Sequence, residues 1–96
     1  ADFLTDNGFP YAERRALAGI NDKGDITGTP GLVWECKNHK TMNLAGCLDE
    51  TMIETANANA DYGILVAKRR GRGNPAEQYA VMPLGMMVAL LKAAGY

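Results

Sequence analysis

The chain is poor in the residues that build the commoner metal modules: it has one histidine and two cysteines in 96 residues. Cys36 and Cys47 follow no zinc spacing, and both read as reduced thiols of a cytosolic protein. It also lacks a charge imbalance. Ten Lys and Arg stand against eleven Asp and Glu, a formal net charge of −1. That is not the strongly basic balance of many nucleic-acid binders, so any contact with a polyanion must come from local clusters. No apolar run approaches membrane-spanning length, and no stretch reads as a signal peptide. Internal repeats and a separate linker are missing too. Gly71-x-Gly73 is no nucleotide fingerprint, because no helix starts on it and the remaining glycine is absent. The 47% of hydrophobic residues suffices for one small core, and residues 1–96 read as a single domain.

Chemistry concentrates between Asp25 and Lys37, read as a short strand, a tight turn at Thr29-Pro30-Gly31 and a second strand from Leu32 to Lys37. Successive strand side chains point to opposite faces. Leu32, Trp34 and Cys36 share one face, which suits a core, and Val33, Glu35 and Lys37 share the other. A three-residue loop would set Asp25 directly opposite Glu35, with Cβ atoms roughly 4.5–5.5 Å apart. Two carboxylates that close repel unless a cation or a proton intervenes. Mg²⁺ or Mn²⁺, which prefer hard oxygen ligands, would resolve the conflict, and Lys37 would stand beside the metal to stabilise developing negative charge or position a water. The plainer reading is a solvated strand face carrying an ion pair. A Glu-x-Lys triplet alone decides little, since chance supplies one in roughly a third of chains this long.

The surrounding text adds specificity. Tyr11-Ala-Glu-Arg-Arg15 precedes the stretch, Trp34-Glu-Cys-Lys-Asn-His39 spans it, and Ala58-Asn-Ala-Asp-Tyr-Gly-Ile-Leu-Val-Ala-Lys-Arg69 follows. With Asp25 and Glu35-x-Lys37, these segments resemble the PD-(D/E)XK nuclease superfamily, in its Holliday-junction resolvase branch from bacteria and their phages, and above all the mycobacteriophage resolvases. The resemblance covers nearly the whole chain. It departs at Gly24, where a proline would give the motif its first letter. It implies an α/β restriction-endonuclease-like core, and a Mg²⁺-dependent endonuclease in which Mn²⁺ can substitute. Asp25, Glu35 and Lys37 would be catalytic, with Asp25, Glu35 and the main-chain carbonyl of Cys36 on the metal. It further implies branched DNA, a four-way junction, as substrate, a homodimer presenting two sites to two strands, and a cytoplasmic location, the host's if the gene is a phage's. In that family a longer first helix carries another acid near the metal, and the matching position would lie upstream of Ala1. A repair or restriction-type nuclease of the same fold would share every motif residue. A non-catalytic DNA-binding module would need only the arginines, and a structural or interaction domain would need neither.

The remaining elements follow in order. Residues 1 to 8 read as the last turns of a helix in which Phe3 and Leu4 pack, stopped at Asn7-Gly8. Tyr11 to Leu17 reads as a strand. Arg14 and Arg15 on it face phosphate or simply blunt an exposed edge. Gly19 to Gly24 is a loop in which Asp22 serves turn chemistry. His39 and Lys40 read as DNA contacts or surface residues rather than catalysts. A helix is expected from Leu44 to Ala60 behind an Asn43 N-cap, with Leu48, Met52, Ala56, Ala60 and Ile53 inward and Asp49, Glu50 and Glu54 solvated. An acid of this helix approaching the metal is the lesser alternative. The apolar run Tyr62 to Ala67 reads as a central strand. After it, Arg69, Arg70 and Arg72 on glycines form a mobile basic loop suited to phosphate, or a solubilising hairpin tip. A strand from Gln78 to Met82 and a helix behind Pro83, ended by Gly95, complete the chain. That helix is apolar almost all round and reads as a dimer face. The expected sheet is mixed: a three-strand antiparallel meander, a crossover helix, then further strands, flanked by helices.

Overall fold

Pro30 and Gly31 make the turn on which the first half folds back. Leu32 N–H donates to Thr29 O at 3.0 Å, and Gly31 takes φ +83°, the proline-then-positive-φ order of a type II turn. The computed structural model describes residues 1–15, 24–38, 41 and 43–96. It opens with α1 (Asp2–Asp6) and β1 (Glu13–Arg14), then β2 (Ile26–Thr27) before the turn and β3 (Leu32–Lys37) after it. Within α1, Phe3 is exposed and only Leu4 is half-buried. The indole N–H of Trp34 donates to Thr29 Oγ1 at 3.2 Å, tying strand to turn. A crossover helix, α2 (Leu44–Asn57), leads to β4 (Tyr62–Ala67). A 3₁₀ turn at Pro75–Glu77 then leads to β5 (Tyr79–Val81) and α3 (Leu84–Ala93).

The molecule is a small α/β protein with a mixed three-stranded sheet, ordered β3-β4-β5. β3 runs parallel to β4, and β5 antiparallel to it. Among the described residues the expected three-strand antiparallel meander does not form. β1 and β2 pair as a separate two-stranded ribbon, each too short to extend a ladder. β3 instead joins β4, the apolar run expected at the centre, where Gly63, Ile64 and Leu65 are buried. Asp25 links the two sheets: its carbonyl accepts Arg15 N–H at 2.7 Å, and its N–H donates to Trp34 O at 2.8 Å. The first strand is shorter than Tyr11 to Leu17. Residues 16–17 and the loop with Asp22 lie outside the described residues.

The inward face of β3 is the reverse of the expected one. Val33 is 0% and Glu35 5% exposed, whereas Leu32 and Trp34 are half-buried and Cys36 is exposed. The parallel register explains this, since it sets Val33 beside Gly63 and Glu35 beside Leu65, on the face that α2 covers. A Cβ on Gly63 would stand 2.0 Å from Thr55 Oγ1 and 3.0 Å from Met52 Cε, so glycine lets the helix lie close on the sheet. α2 is turned correspondingly. Its buried stripe is Cys47, Thr51, Glu54 and Thr55, while Ala56 is exposed and Ile53 is 62% exposed. The expectation of a solvated Glu54 is overturned. Threonines tolerate this burial because their hydroxyls donate to carbonyls one turn back, Thr51 to Cys47 O at 2.8 Å and Thr55 to Thr51 O at 2.7 Å.

Caps agree with local chemistry. Asn43 Oδ1 accepts Gly46 N–H at 3.1 Å at the start of α2. The helix ends at Asn57, short of Ala60, because Asn59 takes φ +50° and Ala60 N–H returns to Thr55 O at 3.0 Å. α3 follows Pro83 and closes at Gly95. Met86, Met87 and Leu90 are half-buried, Met86 Sδ accepting Gly63 N–H at 3.3 Å. Leu84, Val88 and Leu91 recur at helical spacing on the exposed side. Among the described residues no helix is long and apolar enough to cross a membrane.

Candidate functional site

The carboxyl ends of β3 and β4 come together where Lys68 N–H donates to Lys37 O at 3.0 Å. In open α/β sheets this is the end at which loops converge on ligands. Glu35 and Lys37, two apart on β3, point to the face covered by α2. Lys37 Nζ lies 3.3 Å from Glu35 Oε1 and 3.4 Å from Glu50 Oε1. Burial pulls the Lys37 ammonium down, but the hydrogen bond and charge of Glu35, with those of Glu50 behind them, outweigh it and set its pKa above the usual lysine value. Glu35 Oε2 is buried with no hydrogen-bond partner among the described residues. Leaving a buried carboxylate oxygen unmatched is costly.

Asp25 reaches the same strand from the side. Its Oδ2 accepts Cys36 N–H at 2.7 Å, so its carboxylate caps an edge donor of β3. The Cys36 thiol feels both acids. Partial burial raises its pKa first, then the charges of Asp25 and Glu35, against the lowering effect of the N-terminus and Arg14. Asp25 and Glu35 thus flank Cys36, and Arg14 lies near enough to act on it.

The acids that gather most tightly include those of α2, whose approach to the metal was only the lesser alternative in the sequence. Oxygens of Glu35, Glu50 and Glu54 all lie within 4.8 Å of one another, and among the described residues no other such group of three forms. Glu54 is 1% exposed. Its burial is signalled only by its place beside Thr51 and Thr55, a polar stripe that a hydrophobicity pattern does not register. The donor set suits a hard divalent cation: carboxylate oxygens from a rigid strand and a rigid helix, one of them orphaned and buried.

Two clefts run outward from this end. One, of about 290 Å³, is lined by Cys36, Lys37, Asn38, Lys68 and Gln78 among others. The second, of about 320 Å³, shares Asn38, Lys68 and Gly73 with it and continues along Arg69, Arg70 and Arg72. Side-chain hydrogen bonds hold the ends of the basic loop. Gln78 Oε1 accepts Arg69 N–H at 2.6 Å, and Gln78 Nε2 donates to Arg72 O and Asn74 O, both at 2.9 Å. Arg69 stacks on Tyr79 at 4.9 Å, and Arg72 pairs with Glu77 at 3.1 Å. Arg70 and Lys68 are exposed. Arg15 belongs elsewhere. Its N–H donates to Asp25 O, but its side chain lines a cleft of about 290 Å³ at the turn, toward the other end of β3. His39 and Lys40 lie outside the described residues. No protein-family model, no curated protein and no solved structure matches this chain.

Proposed function

We propose that the chain is a metal-dependent DNA endonuclease with a restriction-endonuclease-like core that resolves four-way junctions by phosphodiester hydrolysis. The observation that carries the hydrolytic reading is Glu35. It is a buried carboxylate with one oxygen unmatched, an ammonium 3.3 Å from the other and Asp25 beside the same strand. A structural ion pair on a solvated strand face would not be buried there. Mg²⁺, or Mn²⁺ in its place, would be held by Asp25, Glu35 and the Cys36 carbonyl, and when bound would polarise the phosphate and acidify a water. Lys37, charged and held by Glu35, faces the negative charge that grows on the phosphate. Asp25 is fixed at one oxygen by Cys36 N–H.

The clefts support a DNA path. A backbone entering along Arg70 and Lys68 meets exposed cations before it meets Lys37, which suits phosphate contacts that position without reading sequence. Arg14 supports a contact near Cys36, Arg69 and Arg72 shape the loop, and Arg15 supports one at the turn. The junction preference and the homodimer rest on the family resemblance. The exposed Leu84, Val88 and Leu91 stripe adds support for a partner copy, and sedimentation of Leu91→Glu as a monomer beside a dimeric parent would check it. The test of function is cleavage of a labelled four-way junction beside matched linear duplex in Mg²⁺. Paired symmetric nicks confined to the junction are expected. Equal cutting of both would keep the nuclease and remove the junction preference, and binding without cutting would reject the enzyme.

A further inference from the structure

The acids of α2 are absent from the ligand set just described, yet their oxygens lie within 4.8 Å of one of Glu35's. We infer that Glu50 and Glu54 complete a divalent-cation site with Glu35, so that the metal sits between β3 and α2 and not only between β3 and Asp25. This deepens the nuclease reading and rests on it for the cation's role, though the site itself follows from geometry alone.

Three lines converge. The first is size. Opposite ligands on one Mg²⁺ stand roughly 4.2 Å apart, twice a metal–oxygen distance of about 2.1 Å. The three carboxylates already have oxygens within 4.8 Å of one another, so one ion can touch all three with little movement. The second is the orphaned oxygen. Glu35 is 5% exposed, and its Oε2 is buried with no hydrogen-bond partner among the described residues; buried charges in proteins are paired or ligate metals. The third is the present occupant. Lys37 Nζ stands between Glu35 Oε1 and Glu50 Oε1 at 3.3 and 3.4 Å, so a cation already occupies this position. A divalent ion arriving there releases the ammonium toward the cleft that Lys37 lines.

The helix is built for the task. Glu50 and Glu54 are four residues apart and lie one above the other on α2. Like charges at that spacing destabilise a helix on their own, so the arrangement favours a cation between them. Glu50, exposed at the rim, leaves a way in from solvent.

The test uses the protein without DNA and Mn²⁺ alone, with free Mn²⁺ counted by electron paramagnetic resonance. One ion should bind the parent. Glu50→Gln, at an exposed position where the fold is not at stake, should weaken binding at least about tenfold, since even partners outside the coordination sphere cost that much when lost. Asp25→Asn should weaken it less than Glu50→Gln does. Binding in Glu50→Gln equal to the parent's, with loss in Asp25→Asn, would overturn this site and leave the proposed function standing. A parent that binds no Mn²⁺ would overturn both. Circular dichroism of each variant separates lost ligation from lost fold.

Discussion

Lys37 Nζ lies 3.3 Å from Glu35 Oε1, two residues back on the same face of one strand. The pair is shielded from water, with 18% of the Lys37 side chain and 6% of the Glu35 side chain exposed. Screening is therefore weaker than for a surface pair. The Glu-x-Lys spacing puts both side chains on one face of the strand and within reach of each other, and burial gives the contact weight.

The raised Lys37 pKa has a definite sign. A lysine whose folded pKa exceeds its unfolded value contributes stability that is fully present below the unfolded pKa and is lost as pH rises through the folded one. Lys37 therefore stays charged throughout the neutral and mildly alkaline range. Nitrogen-detected NMR should show its amine titrating above the other lysines. Glu35→Gln should lower that midpoint by removing the hydrogen-bonded charge. A midpoint at or below those of the other lysines would contradict the geometry.

Gly63→Ala tests how closely α2 lies on the sheet. The new methyl would meet Thr55 Oγ1 at 2.0 Å, and overpacking of this kind costs about 1–3 kcal/mol. Urea denaturation should show that loss. Thr55→Ala, which removes the hydroxyl, should recover part of it in the double variant, a coupling that distant residues do not show.

Cys36 is an exposed free cysteine. Its pKa is pushed up by partial burial and by Asp25 and Glu35, and the thiolate is the reactive form. Alkylation by iodoacetamide at mildly alkaline pH, followed by mass spectrometry, should be slower than for a free cysteine peptide. Asp25→Asn should speed it. An unchanged rate would place Asp25's charge farther from the thiol than described here.

Arg70 and Arg72 should separate in DNA binding. Arg72 is paired with Glu77, and Arg70 is exposed. Arg70→Ala should flatten the salt dependence of binding by about one counterion, while Arg72→Ala should change it less. Fluorescence anisotropy across a salt series reads both slopes. Equal slopes in parent and Arg70→Ala would remove the loop from the interface.

Local signals survived translation from sequence to fold, and relational ones did not. The turn at Pro30-Gly31, the Asn43 cap, the buried run through Leu65 and the helix behind Pro83 each depend on a few adjacent residues, and all appear where the text puts them. The face of β3 that turns inward was illegible. Alternation fixes the period of a strand, but Trp34 and Val33 are both apolar, so which side α2 covers decides it. The register of α2 was hidden for a related reason. Its inward stripe is threonine and glutamate, made compatible with burial by backbone-bonded hydroxyls and by the space at Gly63. The Glu35, Glu50 and Glu54 cluster joins residues up to nineteen apart in sequence, and no spacing rule connects them.

The most direct measurement of the central claim is the cleavage rate of a four-way junction in Mg²⁺ by Glu35→Gln beside the parent, with junction affinity measured on the same samples. Loss of the buried carboxylate should lower cleavage by a factor on the order of a hundred or more, the range seen when one stabilising group leaves an active site, while affinity, carried by the basic loop, stays within about threefold. Glu35→Gln cutting at the parent's rate, or a folded parent that cuts no junction at all, would contradict the account.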